Sequence, residues 1–275
     1  MKQAGFVLIF VAILLIFTGC PEFFSFNIYD GLDPVFPPDK AELEKMDTSD
    51  ALDYLEDEIA SDSFIEALVQ DEANTPEGED SKLDDIDNYL AEIYTNPAAT
   101  TEDKSTAAVL AGDLRLGTSG AIDVVNNFID AASELSALSS NPNPTEDDVK
   151  TILTAIVPET IVNDEQAFKD MLNGFFAAAD AYEVLGDTIL AGGADDGGAV
   201  TGGVVMNAAV TLVIDELASG IVKDTVDRAD ALWNLLKGDP SGVDASFPMS
   251  DPFADTTIQT IATAGDFNLS AVFNG

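Results

Sequence analysis

The chain has no histidine and one cysteine among its 275 residues. Without imidazole there is no Ser-His-Asp or Cys-His machinery, no His-ligated zinc or iron, and no histidine pH switch. A single cysteine excludes an internal disulfide and a two-thiolate metal site. Cations are nearly as scarce: 11 Lys and Arg stand against 51 Asp and Glu, a formal charge of −40. Such a surface repels nucleic-acid phosphates and anionic lipid headgroups, so no nucleic-acid partner is expected. The nucleotide-binding loop GxxxxGK[ST] is missing, since neither Lys104-Ser105 nor Lys150-Thr151 follows the glycine it requires. No lysine completes an SxxK pattern. Gly117-Thr118-Ser119-Gly120 has Ala121 where a GxSxG nucleophile elbow needs its second glycine, and reads as the end of one helix and the start of the next.

What the chain does have is apolar residues. At 46% hydrophobic and 23% charged, it is a folded protein rather than a disordered polyanion. Its length suits one large domain or two small ones with a sizeable core. Aspartate outnumbers glutamate 34 to 17, although Glu is the better helix former. That balance fits a surface built for hydration rather than for ion-pair networks, as in salt-adapted proteins, and equally an acidic but ordinary extracytoplasmic protein.

Helical periodicity runs through most of the chain. Leu52, Leu55 and Ile59 recur at helical spacing after Ser49. Asp62 opens a segment with Phe64, Ile65, Leu68 and Val69; Ser81 opens a third, striped by Leu83, Ile86, Leu90, Ile93 and Tyr94 and stopped by Asn96-Pro97. Thr101 starts a fourth that closes at Gly117, and a fifth is expected from about 120 to 138. Asn141-Pro142-Asn143-Pro144 is a break, after which Thr145 caps a helix that Pro158 ends. Asn163 is expected to cap a long helix through Phe168, Phe175, Phe176, Tyr182 and Leu185. A Gly-rich stretch, 192–203, precedes an apolar helix from Val204 to Leu217. Val204 to Ile214, interrupted only by Asn207 and Thr211, is too short to span a bilayer and reads as the central core helix. An amphipathic helix is expected over Val222–Leu236, ended by Gly238-Asp239-Pro240, and a short one near Phe253–Ala264. The expectation is all-α: a multi-helix bundle or irregular helical-hairpin array of about eight to ten helices. The Ala-rich pair 81–95 and 101–116 resembles a tetratricopeptide-type hairpin, though no steady repeat period runs through the chain.

The first twenty residues carry an address. Lys2 is a short positive region, and Phe6 to Phe17 form 12 apolar residues, short of the roughly 20 needed to cross a bilayer. Thr18-Gly19 then precede Cys20, the only cysteine. This resembles the lipobox of a bacterial lipoprotein precursor, in the relaxed form of spirochaetal lipoproteins, with Phe17 where Leu is usual. The resemblance implies a cleaved signal peptide, 1–19, and lipid attachment (palmitate or a related acyl chain) at Cys20. Lipid rather than charge would then hold the protein to the membrane, at about 0.8 kcal/mol per buried CH₂. Pro21 stands where an aspartate signals inner-membrane retention in some bacteria, which favours the outer membrane. The rest divides into an acylated tether, 20–48, with Pro21, Pro34, Pro37 and Pro38 among Phe23, Phe24, Phe26, Tyr29 and Phe36; a helical domain, 49–238; and an irregular segment, 239–275, packing on it.

Site candidates in the body are few. Phe175, Phe176, Met206 and Trp233 are core residues by default, and in the alternative line an apolar pocket for a lipid or other hydrophobic ligand. Asp195 and Asp196 sit in the Gly-rich loop and are weak Ca²⁺ candidates without the alternating spacing of a calcium loop. The pairs Asp84-Asp85 and Asp147-Asp148 lie at helix starts and read as solvated caps. No catalytic residue, metal site or cofactor is expected. The functional expectation is a membrane-anchored, non-enzymatic lipoprotein of the cell envelope, facing periplasm or cell surface, that binds a protein or ligand. The alternatives are a transport-accessory protein holding a solute or lipid between helices, and, behind it, a carboxylate-dependent cell-wall hydrolase.

If the acids repel one another across the folded surface, salt stabilises the fold. The melting temperature is expected to rise as NaCl goes from 10 mM to 0.5 M, where the screening length falls from about 30 Å to a few Å. A flat salt dependence would show that self-repulsion costs this fold little.

Overall fold

Short polar side chains that bond to backbone N–H groups set where the helices begin. A computed structural model describes residues 36–76, 78–130, 145–192, 198–223, 225–244 and 255–268. In it Ser81 and Thr145 close full capping boxes, with Asp84 and Asp148 returning the bond to the cap backbone. Asp39 and Glu42 form a third box. Thr100, Thr201, Asp227 and Asp255 each accept a backbone N–H at a further helix start.

The described residues form eleven α-helices: α1 (Lys40–Leu43), α2 (Thr48–Ile59), α3 (Asp62–Asn74), α4 (Lys82–Thr95), α5 (Thr101–Thr118), α6 (Ile122–Asp130), α7 (Glu146–Ile156), α8 (Glu165–Gly192), α9 (Gly202–Ile221), α10 (Arg228–Leu236) and α11 (Thr256–Ala264). A 3₁₀ turn, Pro240–Gly242, follows α10. Among the described residues the only β-type pairing is one antiparallel bridge, Val222 with Val243. The fold is all-α, and helix lengths from 4 to 28 residues make it irregular.

Several boundaries differ from the sequence pattern, each because of a specific contact. The amphipathic stretch from Val222 becomes helical only at Arg228, because Ile221 and Lys223 are bonded across to the chain after the 3₁₀ turn: Asp244 N–H donates to Ile221 at 2.7 Å and Lys223 N–H to Gly242 at 3.1 Å. Asp164, not Asn163, caps α8. Its carboxylate accepts Ala167 N–H at 3.2 Å, while Asn163 sits in the turn begun at Pro158 and receives Lys237 at 3.4 Å. Helical structure also starts earlier than 49, since α1 buries Leu43 and Lys40 pairs with Glu92 of α4. Phe36, an aromatic of the tether, stays 81% exposed. The expected helix over 120–138 is described only as α6, and 131–144 lie outside the described residues.

α5 is the wall between two apolar clusters. Ala107, Leu110, Ala111 and Leu114 face Leu43, Leu52, Leu55, Phe64, Leu68, Ile86 and Leu90 of α1–α4. Ala108, Val109 and Leu116 face the larger cluster built from α6–α11. α8 runs antiparallel to α5, with Gly174 beside Ser119 and Gly192 beside Thr101. α8 also touches α9, α10 and α11, so the hub of the larger cluster is α8 rather than the apolar α9. α9, at 20 residues, is the helix among the described residues that is long and apolar enough to cross a membrane, but 72% of its apolar window is buried inside the protein. It is a core helix on burial, not on length.

The α5–α8 contact needs glycine at two places. A Cβ on Gly112 would lie 2.5 Å from Cζ of Tyr182, and one on Gly174 would meet Ser119 and stand 3.0 Å from the Arg115 carbonyl. Gly112→Ala is therefore expected to destabilise the fold by about 1–3 kcal/mol by overpacking, although Ala is the better helix former. Urea unfolding checks it: unchanged or higher stability would mean the Tyr182 ring moves aside freely.

Candidate functional site

Where α8 crosses Gly112 the Tyr182 ring lies on the α5 backbone, fully buried. A buried phenol needs an acceptor, and the next residue of α5 supplies it. Tyr182 Oη donates to Asp113 Oδ1 at 2.7 Å, and Asn207 Nδ2 of α9 donates to the same oxygen at 3.1 Å. One carboxylate oxygen thus ties three helices together. Both donors are neutral, and no ion pair involving Asp113 occurs among the described residues. Asp113 keeps partial solvent exposure; desolvation against α8 and α9 raises its carboxyl above the usual carboxylate range, and the bonds from Tyr182 and Asn207 pull it partly back. Burial likewise drives the Tyr182 phenol well above its ordinary value, with the Asp113 charge acting in the same direction.

None of the three residues stands out in sequence as a site. The available signals are weak: Asp113 lies four residues after Val109, on a helix side that also carries Gly112 and Leu116, and Asn207 interrupts an apolar run. Thr211, the other interruption, lies one turn after Asn207 on the same side of α9. Its hydroxyl is buried without a hydrogen-bond partner, as is that of Ser105 on α5.

The expected pocket residues gather in one cluster. Phe175, Phe176 and Trp233 are buried in the larger core, and Met206 packs against it, partly buried. The Arg228 guanidinium stands 3.9 Å from the centre of the Phe176 ring, a cation–π distance. Trp233 meets Phe168 at 5.4 Å between ring centres, tilted by 51°, and takes the Lys237 ammonium at 4.4 Å. Cys20, Asp195 and Asp196 lie outside the described residues. Among the described residues no group of three or more Asp, Glu, Cys or His is placed to hold a metal ion.

Acids crowd one other place. Asp180, Glu183 and Asp187 recur along α8 near Asp215 of α9 and the α11 cap Asp255. Glu183 is pushed up by burial and then by those four carboxylates; Asp180 is pushed up by burial and by Asp215, with Arg228 opposing. Arg228 donates to Asp215 at 2.5 Å and to Ser219 at 2.9 Å. On the far side of α5, Arg115 pairs with Asp87 of α4 while its Nε is buried without a partner.

Compared with protein-family models, characterised proteins and solved structures, the chain finds no match. Any functional assignment therefore rests on its own residues.

An unpartnered buried hydroxyl is a liability that an isosteric methyl removes. Thr211→Val is expected to leave the fold as stable or to stabilise it by about 1 kcal/mol, read from the urea midpoint. A loss of more than that would mean the Thr211 hydroxyl has a partner in solution, such as a bound water.

Proposed function

We propose that the protein is an acylated lipoprotein of the bacterial cell envelope, anchored through Cys20, whose helical body binds a protein or ligand without catalysis. The observation that carries this reading is the run from Lys2 through the apolar stretch Phe6–Phe17 to Thr18-Gly19-Cys20, with that cysteine the only one in the chain. Two features of the body support it. A protein with so large an acid excess gains nothing from an anionic membrane surface, so lipid is the physical means of attachment. The inward-facing carboxylate Asp113 is engaged by a tyrosine and an asparagine rather than by a second carboxylate. Glycoside hydrolysis uses two carboxylates set roughly 5–10 Å apart, and the Asp113 site does not have that form.

In this reading the outer membrane is the favoured location, because Pro21 replaces the retention aspartate. The helical surface is then the recognition element, with α4 and α5 forming the hairpin that resembles a tetratricopeptide unit.

The test is metabolic labelling of producing cells with a clickable fatty-acid analogue. The parent chain should incorporate label and fractionate with membranes. Cys20→Ala should carry none and leave the membrane fraction. Label that persists in Cys20→Ala would sink the lipoprotein reading.

A further inference from the structure

The stretch between Cys20 and the folded body is rich in rings. Of the chain's 16 Phe, 5 Tyr and 1 Trp, five residues (Phe23, Phe24, Phe26, Tyr29 and Phe36) fall in the 17 positions from Cys20 to Phe36. The chain's 8% aromatic content would place about one there. Ile28, Leu32 and Val35 add apolar surface, and the charges are Glu22, Asp30 and Asp33, with no cation among them.

Residues 20–35 lie outside the described residues, but the place where the body takes hold of the chain lies within them. Pro38 is buried, Asp39 pairs with Lys82 at 3.6 Å, Lys40 pairs with Glu92, and Leu43 is fully buried. The body therefore grips the chain from Pro38 onward. Phe36, two residues earlier, is 81% exposed, the most exposed large apolar side chain among the described residues. A single exposed ring is ordinary on a protein surface. This one closes an aromatic run that begins three residues after the anchor, so an apolar surface is within its reach. The 16 residues from Cys20 to Phe36 span at most about 55 Å. A lipid at Cys20 would keep every one of these rings within that distance of the bilayer. Tethering at such range sets an effective concentration on the order of millimolar, enough for a contact too weak to hold the protein by itself.

We propose, resting on the lipoprotein reading, that residues 23–36 are a second membrane contact. The rings enter the headgroup boundary of the bilayer that holds the Cys20 lipid, the region that aromatic side chains favour. They draw the α1–α4 side of the body toward it. Because α5 divides the core, the smaller cluster then lies nearer the membrane and the larger cluster, α6–α11, faces outward, where a partner meets it. The attraction is apolar, since three acids without a cation gain nothing from an anionic surface.

The single cysteine makes the test direct. A maleimide phospholipid coupled to Cys20 of the chain from residue 20 onward supplies the anchor whether or not cells do. The fatty-acid labelling tests the natural lipid and this coupling tests the rings, so the two readings fail separately. The vesicles are phosphatidylcholine in about 0.5 M NaCl, where charge is screened within a few Å. Phe36→Trp should add an emission that brominated phosphatidylcholine largely extinguishes. The parent's one tryptophan, Trp233, is buried in the larger cluster and should keep its emission. Adding Phe23→Ser, Phe24→Ser, Phe26→Ser and Tyr29→Ser should restore most of the lost signal, because the rings, not the anchor alone, hold the probe at the lipid. A probe that keeps its emission overturns the proposal: if blue-shifted, the rings dock on the body; if red-shifted, they face water. Quenching that survives the four serine substitutions overturns it as well.

Discussion

The structure turns on the place where Tyr182 of α8 lies across Gly112 of α5 and donates its hydroxyl to Asp113. Each part requires the others. Any side chain at 112 would push the ring away, and without Asp113 the phenol would be buried with no acceptor. The carboxylate that receives it reaches a second donor on α9, so a single pairwise contact becomes a three-helix junction. Because α5 separates the two apolar clusters and α8 is the hub of the larger one, this junction sets how the two halves of the core meet. Gly174, farther along the same interface, keeps the helices equally close near the C-terminal end of α5.

Around that junction the charge is arranged with one bias. Acids occupy the first turns of most described helices, several of them as caps or in capping boxes. Cations stand in the last turn only of the four-residue α1 and of α5, through Lys40 and Arg115, among the described helices. The acid excess thus has a structural use at helix starts, where it complements the helix dipole, and little counterpart at helix ends. Lys40, Lys82, Arg115, Lys169 and Arg228 are committed to ion pairs that tie elements together. Where acids do converge without enough cations, along α8 beside Asp215 and Asp255, burial and mutual repulsion raise Asp180 and Glu183.

The fold class was legible because its signals are local. Ser81 and Thr145 marked helix starts, and the structure closes capping boxes at both. Gly120 ends the turn after α5 with a φ of 71°, in the left-handed region that glycine favours, as the Gly117–Gly120 pattern suggested. Boundaries failed where a distant partner decided them. Val222 keeps helical spacing with Val226 and Ala229, yet it pairs with Val243, a residue beyond α10. The junction was not legible for the same reason. Asp113, Tyr182 and Asn207 lie 69 and 94 residues from one another along the chain, counted from Asp113, and each by itself is an ordinary helix residue.

The sequence alone determined the helical class, most helix starts, the absence of histidine chemistry and the acidic surface, because each depends on composition or on spacing within one turn of backbone. The proposed lipid anchor at Cys20 rests on the same kind of local information. Tertiary structure decided the rest. It made α8 the hub, showed that α9 is buried although long enough to span a bilayer, and placed Phe175, Phe176, Met206 and Trp233 in one core. It also turned a single aspartate of α5 inward to meet two neutral donors. These depend on which faces meet across the whole chain, and no short-range pattern encodes that.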